Sequence, residues 1–177
     1  NKNYDVAQKS VLLLKKEITY SKNEKELEPM VILAEANLEN SLKNYSRSIK
    51  LIKNFLSTKR STQTNRALLR LLLKNYIESN ELLEADNTAR RILEKWPRDF
   101  LFWAQRASIS DKLGYRVYAH IYSAERYVAM NQWYLAMEQL KLAKKEKNLD
   151  FISLSKIDSR LKEIEEIHKK NLNFSNQ

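Results

Sequence analysis

Two histidines and a single glycine limit the chemistry that this 177-residue chain could perform. A zinc site needs three or four ligands, commonly with two of them on one helical face. His168 has only Glu165 at such a spacing, within a charged segment, which indicates an exposed surface residue. His120 falls at a packing position of a predicted helix, which indicates a buried or half-buried filler. Neither histidine therefore predicts a metal site.

The sequence indicates no other kind of active site either. The chain has no cysteine, which excludes disulfides and thiolate ligands. The one glycine, Gly114, cannot supply a phosphate-cradling loop or the strained turn that exposes a nucleophilic serine. Acidic residues such as Glu163 and Glu166 lie beside lysines and indicate a solvated helix face. We predict no catalytic residue, no metal and no cofactor, so this chain is not expected to be an enzyme.

The positive charge is concentrated in one segment. Residues 40–77 contain no acidic residue, although the chain as a whole carries a net charge of +10. The basic patch is defined as Lys43, Arg47, Lys50, Lys53, Lys59, Arg60 and Arg66, and Arg70 and Lys74 follow it. Three interpretations stay open: an ordinary solvated face, a surface for acidic proteins or anionic lipid headgroups, and nucleic acid binding. Nucleic acid is the least favoured, because aromatic residues are not interleaved with these charges as a base-stacking platform would need.

The elements that position these residues are predicted to be helices. One glycine and two prolines are too few for a protein built on sheet turns. No apolar run approaches the ~20 residues of a membrane span. Apolar residues three or four positions apart predict eight or nine helices, over 4–20, 28–40, 45–57, 66–78, 81–95, 100–112, 115–130, 133–146 and 150–170. Pro29 is expected in the first turn of the second helix, and Gly114 is expected to cap the sixth.

A repeated pattern relates these helices to one another. Small residues recur 12 positions apart, on the first and second helix of successive pairs, where they would let antiparallel helices approach closely. These pairs are Leu73/Ala85, which breaks the small-residue rule, and Ala36/Ser48, Ala107/Ala119 and Ala124/Ala136. Asn80 and Asn131 stand at turn positions and are expected to be left-handed. The pattern resembles the 34-residue tetratricopeptide repeat (TPR), with frames near 29–60, 66–99, 100–133 and 117–148. It predicts an all-α, TPR-like solenoid of antiparallel helix pairs, with 1–177 as one domain.

A more specific resemblance covers about residues 66–165. The segment 123–143, with its pattern AE-x-Y followed by A-x-x-Q-L-x-x-A, is similar to the C-terminal region of periplasmic zinc metalloproteases that resemble the β-barrel assembly-enhancing protease. Pro97, Trp103 and the segment 155–161 also suit that family, whereas Asn131 stands where the family usually has glycine. The resemblance implies the non-catalytic repeat part of such a protease, because no HExxH motif is present. It also implies a periplasmic location. Since the chain opens on Asn1 inside a helical pattern, we expect a processed chain or an excised domain.

The TPR resemblance also implies where a partner would bind. The groove of such repeats is lined by fixed positions of the first helix of each pair, here represented by Asn37, Arg70, Lys74, Ala104 and Ser108. Arg70 and Lys74 hint at a clamp for a C-terminal carboxylate, but only Asn37 could complete it, so no clamp is predicted. The expected partners are a protein or peptide in a concave groove, including the chain's own protease domain and outer-membrane assembly proteins. The alternative is a free-standing TPR adaptor whose basic surface binds acidic partners or nucleic acid.

Overall fold

A computed structural model describes residues 2–20, 24–58, 63–147 and 149–175. Within these ranges the chain forms nine helices and no strand, so the predicted all-α class is confirmed. The helices are α1 (Lys2–Thr19), α2 (Glu24–Ser41), α3 (Tyr45–Thr58), α4 (Gln63–Glu78), α5 (Leu82–Lys95), α6 (Phe100–Lys112), α7 (Arg116–Ala129), α8 (Trp133–Lys145) and α9 (Phe151–Ser175). No helix in the described ranges is long and apolar enough to cross a membrane.

Four of the described helices end in the same left-handed turn. The residues with positive φ are Lys43 (62°), Asn80 (63°), Gly114 (79°) and Asn131 (57°). In each turn the following N–H donates to the carbonyl five residues back, as from Gln132 to Tyr127 at 2.9 Å, which is the Schellman motif. The left-handed turns predicted at Asn80, Gly114 and Asn131 are confirmed. The turn at Lys43 was not predicted, because lysine carries no preference for this conformation.

The prediction for Pro29 was wrong. Helix α2 begins at Glu24, so Pro29 lies inside the helix and not in its first turn. The helix reaches further towards the N-terminus than its apolar spacing indicates, because residues 24–26 are polar and carry no periodic signal. Proline lacks a backbone donor there. Its ring is buried, so packing supports the position.

The chain divides into two compact units, Asn1–Glu81 and Leu82–Gln177. In the first unit α1, α2 and α3 each pack against the next helix, and α2 also packs against α4. Its core consists of Val31, Ala36, Ile49, Ile52, Phe55, Leu68, Leu71, Leu72, Leu73 and Tyr76. Ala36 and Ser48 are both fully buried, and the Ser48 hydroxyl donates to the Ala36 carbonyl at 2.8 Å. The small pair 12 positions apart therefore lies at a close crossing of α2 and α3.

In the second unit, α5, α6, α7 and α8 each pack against the next helix in sequence. One core cluster joins α7, α8 and α9 through Ala124, Ala136, Leu140, Ala143, Ile157 and Ile164. Ala124 and Ala136, the predicted pair for this crossing, have no exposed surface. Two of the predicted repeat frames, 100–133 and 117–148, lie wholly in this unit. The frame 66–99 takes α4 from the first unit and α5 from the second.

Candidate functional site

Three helices of the second unit enclose a cleft of about 430 Å³. This volume is within the range of ordinary ligand sites. Helices α6, α7 and α8 line it with Ala104, Ala107, Ser108, Asp111, Arg116, Ala119, His120, Ser123, Arg126 and Gln139. We call it the α6–α8 cleft.

Short side chains leave the space that the α6–α8 cleft occupies. Ala104, Ala107 and Ser108 come from α6, and Ala119 and Ser123 come from α7. On each helix these residues are spaced by one, three or four positions, which places them on one face. The small residues that let the two helices approach closely therefore also leave an open floor.

His120 is held by α8 at one side of the cleft. Its Nδ1 atom lies 3.0 Å from Oε1 of Gln139, and its Nε2 atom lies 3.5 Å from Oε1 of Glu146. The ring is half-buried, as the sequence predicted. No group of three or more residues that could hold a metal ion occurs in the part of the chain that the structure describes. The observed role of His120 is to join α7 to α8.

Two arginines give the cleft its charge. The Nε atom of Arg126 is buried and has no hydrogen-bond partner in the described residues. Its guanidinium carbon lies 5.5 Å from the ring centre of Tyr127, on the same helix. Arg116, the first residue of α7, also lines the cleft and is exposed. Asp111 is the one acidic residue of the lining. The lining therefore carries two arginines against one carboxylate.

A separate aromatic cluster occupies another face of α6 and α7. The Tyr122 ring lies 5.8 Å from Trp103 and 6.1 Å from Tyr118, measured between ring centres. The Arg106 guanidinium lies 4.2 Å above the Tyr122 ring, and its Nε donates to Asp86 of α5 at 3.1 Å. Burial raises the pKa of the Tyr122 phenol above its ordinary value. Tyr122 therefore packs within this cluster, whereas Tyr118 is 47 % exposed.

The predicted groove residues are distributed over both units. Ala104 and Ser108 line the α6–α8 cleft. Asn37 lies exposed on α2, where its side-chain amide donates to Leu33 of the same helix at 2.9 Å. Arg70 and Lys74 are exposed on α4, which packs against α2. Asn37, Arg70 and Lys74 therefore lie on neighbouring helices of the first unit, and Ala104 and Ser108 share a cleft in the second.

The basic patch follows the solvent face of α3 and the turn before it. Lys43, Lys50 and Lys53 are exposed and have no ion pair within the described ranges. Arg47 is also exposed, but its Nε lies 3.1 Å from Oε1 of Glu39. Arg66 is exposed on α4. Two members of the patch, Lys59 and Arg60, lie outside the described residues.

The charged part of the cleft was not predicted from the sequence. Arg116, Arg126 and Gln139 were not among the predicted binding residues. A signal was present, because residues 116, 120 and 123 follow one another at steps of four and three, and 126 continues the series. The partner on α8 carried no such signal, since only packing decides which residue of α8 faces His120.

No known protein-family model matches this chain, and no curated protein shows significant sequence similarity to it.

Proposed function

We propose that the chain is a non-catalytic, TPR-like protein-interaction domain that holds a polypeptide segment of its partner in the α6–α8 cleft. The observation that supports this most is the cleft itself, which combines an alanine floor with polar side chains around it. An extended peptide needs such a surface, because its backbone requires hydrogen bonds and its side chains require room.

The lining offers the partners that a peptide backbone uses. The hydroxyls of Ser108 and Ser123 can donate or accept a hydrogen bond, and the Gln139 amide can do both. Two predicted repeat frames, 100–133 and 117–148, meet in these helices. In this proposal Ala104 and Ser108 contact the peptide directly.

The resemblance of residues 66–165 supports a wider proposal. In the full-length protein the chain would be the C-terminal part of a periplasmic zinc metalloprotease that acts in outer-membrane protein quality control. Its partners would then be the protease domain and outer-membrane assembly proteins. The coding sequence upstream of Asn1 tests this proposal. A HExxH motif within a few hundred residues supports it, and a start codon directly before Asn1 excludes it.

One observation favours a second candidate, a free-standing adaptor with a basic binding surface. Lys50 and Lys53 point from α3 into solvent without an ion pair in the described ranges. Such charges attract acidic proteins, anionic lipid headgroups or nucleic acid over several ångströms. The two candidates differ in the unit that makes the contact, and variants of each unit separate them.

A peptide-display selection on the whole 177-residue chain tests the peptide-binding function. Ser108→Trp should remove binding of the selected peptides, because the indole fills the floor of the cleft. Ser155→Trp is the matched control, since Ser155 is exposed on α9 and does not line the cleft. The proposal is wrong if no peptide is enriched, or if both tryptophan variants bind the enriched peptides equally.

A further inference from the structure

We infer that the α6–α8 cleft selects an acidic segment of a partner protein, with Arg126 and Arg116 binding the carboxylate of an Asp or Glu side chain. This inference rests on the proposed function and names the chemistry of the peptide. Three observations support it: the positive charge of the lining, the missing hydrogen-bond acceptor of Arg126 Nε, and the donors and acceptors that surround the cleft.

The Arg126 guanidinium has a hydrogen-bond donor that a bound carboxylate could satisfy. Its Nε donor is buried and lacks an acceptor in the described residues, and the guanidinium lies beside the Tyr127 ring. A buried donor without an acceptor is unfavourable, and an ionised donor more so. A carboxylate entering the cleft would supply that acceptor, and guanidinium and carboxylate groups match in planar geometry.

Arg126 differs in this respect from Arg160 and Arg106 of the same unit. Arg160 is paired with Glu125 and Glu163, and Arg106 is paired with Asp86. Arg116, also in the cleft lining, has no ion pair within the described ranges. Two arginines without an ion pair in the described residues therefore line one cleft.

The remaining lining favours a polypeptide over a phosphate polymer. Asp111 can accept a hydrogen bond from a peptide backbone N–H, a donor that the phosphates of a nucleic acid do not offer. The floor of Ala104, Ala107 and Ala119 offers no aromatic ring on which a base could stack. The aromatic rings of this unit, Trp103, Tyr118 and Tyr122, belong to the other face of α6 and α7.

Fluorescence anisotropy with a labelled hexaglutamate peptide tests the inference. The C-terminus of the peptide is amidated, so only side-chain carboxylates are offered, and hexaglutamine serves as the uncharged probe. The whole chain should bind hexaglutamate and not hexaglutamine at neutral pH. Arg126→Gln should weaken the affinity by about tenfold or more, as expected for loss of a charged hydrogen bond. Arg116→Gln should weaken it as well.

The control variants separate the cleft from general electrostatic attraction. Arg91→Gln removes one positive charge from an exposed position of α5 that does not line the cleft, and it should leave the affinity unchanged. A chain with Lys43, Lys50 and Lys53 all changed to Gln removes charge from the basic patch and should lose less affinity than Arg126→Gln. If Arg126→Gln lowers the thermal transition of the chain, the exposed Arg116→Gln variant still decides the result.

The inference is overturned if hexaglutamate does not bind, or if Arg91→Gln weakens binding as much as Arg126→Gln. It is equally overturned if only the basic-patch variant loses affinity. The broader peptide-binding function has its own test in the Ser108→Trp comparison. A cleft that selects uncharged peptides, blocked by Ser108→Trp, would retain the function and refute its acidic specificity.

Discussion

Glu125 of α7 and Arg160 of α9 form a two-point ion pair, in which Nε and Nη2 of the arginine each lie 2.7 Å from a carboxylate oxygen. Nη1 of the same arginine lies 2.6 Å from Oε2 of Glu163. Both partners across the helices are partly buried, with 28 % of the Arg160 side chain and 20 % of the Glu125 side chain exposed. The hydrogen bond that Arg160 donates to Glu125 is the main cause that raises the pKa of Arg160 above its ordinary value. This pair joins two helices that are separated in sequence by α8.

Arg160→Ala should lower the free energy of unfolding by about 1–3 kcal/mol, because it leaves the Glu125 carboxylate partly buried without its charged donors. Urea unfolding of the purified chain measures the loss. Lys141→Ala is the control, since its pair with Glu138 at 2.8 Å is solvent-exposed and such pairs contribute little to stability. Equal losses in the two variants would contradict the role given to Arg160.

Ser48→Ala should destabilise the chain by about 1–3 kcal/mol. The Ser48 hydroxyl donates to Ala36 and accepts from the Asn75 amide at 2.8 Å, and all three residues have no exposed surface. Alanine would leave the Asn75 donor buried with one partner fewer. Ser46→Ala makes the same change at an exposed position of α3 and should alter stability by less than about 0.5 kcal/mol. Chemical denaturation of both variants checks the contrast.

Substitutions at two of the left-handed turns should change the stability of the chain in opposite directions. Lys43→Gly should stabilise the chain by up to about 1 kcal/mol, because glycine adopts a φ of 62° without a steric penalty. Gly114→Ala should destabilise it by about 1 kcal/mol, at a φ of 79°. Apart from Gly114 itself and its two chain neighbours, no atom of the described residues lies within 4 Å of the position that the new Cβ would take, so this cost is conformational and not a packing clash. Thermal unfolding of the two variants should move the transition in opposite directions.

The stability of the start of α9 should depend on pH through the Asp150 carboxyl. Hydrogen bonds from the Ser153 hydroxyl, at 2.7 Å, and from its backbone N–H, at 2.8 Å, lower the pKa of this carboxyl below its ordinary value of 3.8. Because the folded pKa is depressed, the cap stabilises the helix start above pH 3.8 and is lost as the pH falls through the folded pKa. An NMR titration should place the Asp150 pKa below 3.8 and show it rising in Ser153→Ala. Ser155→Ala, on the same helix, should leave it unchanged.

The basic patch should bind polyanions in a salt-sensitive way. Retention of the chain on heparin should fall between low and high salt, because screening weakens exposed charges. Lys50→Gln and Lys53→Gln together should reduce retention. Arg47→Gln should reduce it less than either lysine change, since Glu39 already compensates that guanidinium. Retention that does not fall with salt would rule the patch out as a binding surface.

The helices themselves were determined by the sequence. Apolar residues at steps of three and four located α6 at 100–112, as the structure has it, and placed the starts of α3 and α8 correctly. Asparagine and glycine marked three of the left-handed turns. The spacing of 12 between small residues located the crossings at Ala36/Ser48 and Ala124/Ala136, which are fully buried. These features were readable because each depends on residues close together in the chain.

The partners of polar groups were decided only by the tertiary structure. No periodicity shows that Asn75 meets Ser48, that Gln139 meets His120 or that Glu125 meets Arg160. Each of these contacts depends on the rotation and offset of one helix against another, which many side chains set together. The same holds for the α6–α8 cleft, where Arg116 and Arg126 lie beside the predicted Ala104 and Ser108. Local spacing assigns a residue to a helical face, and only packing decides what that face meets.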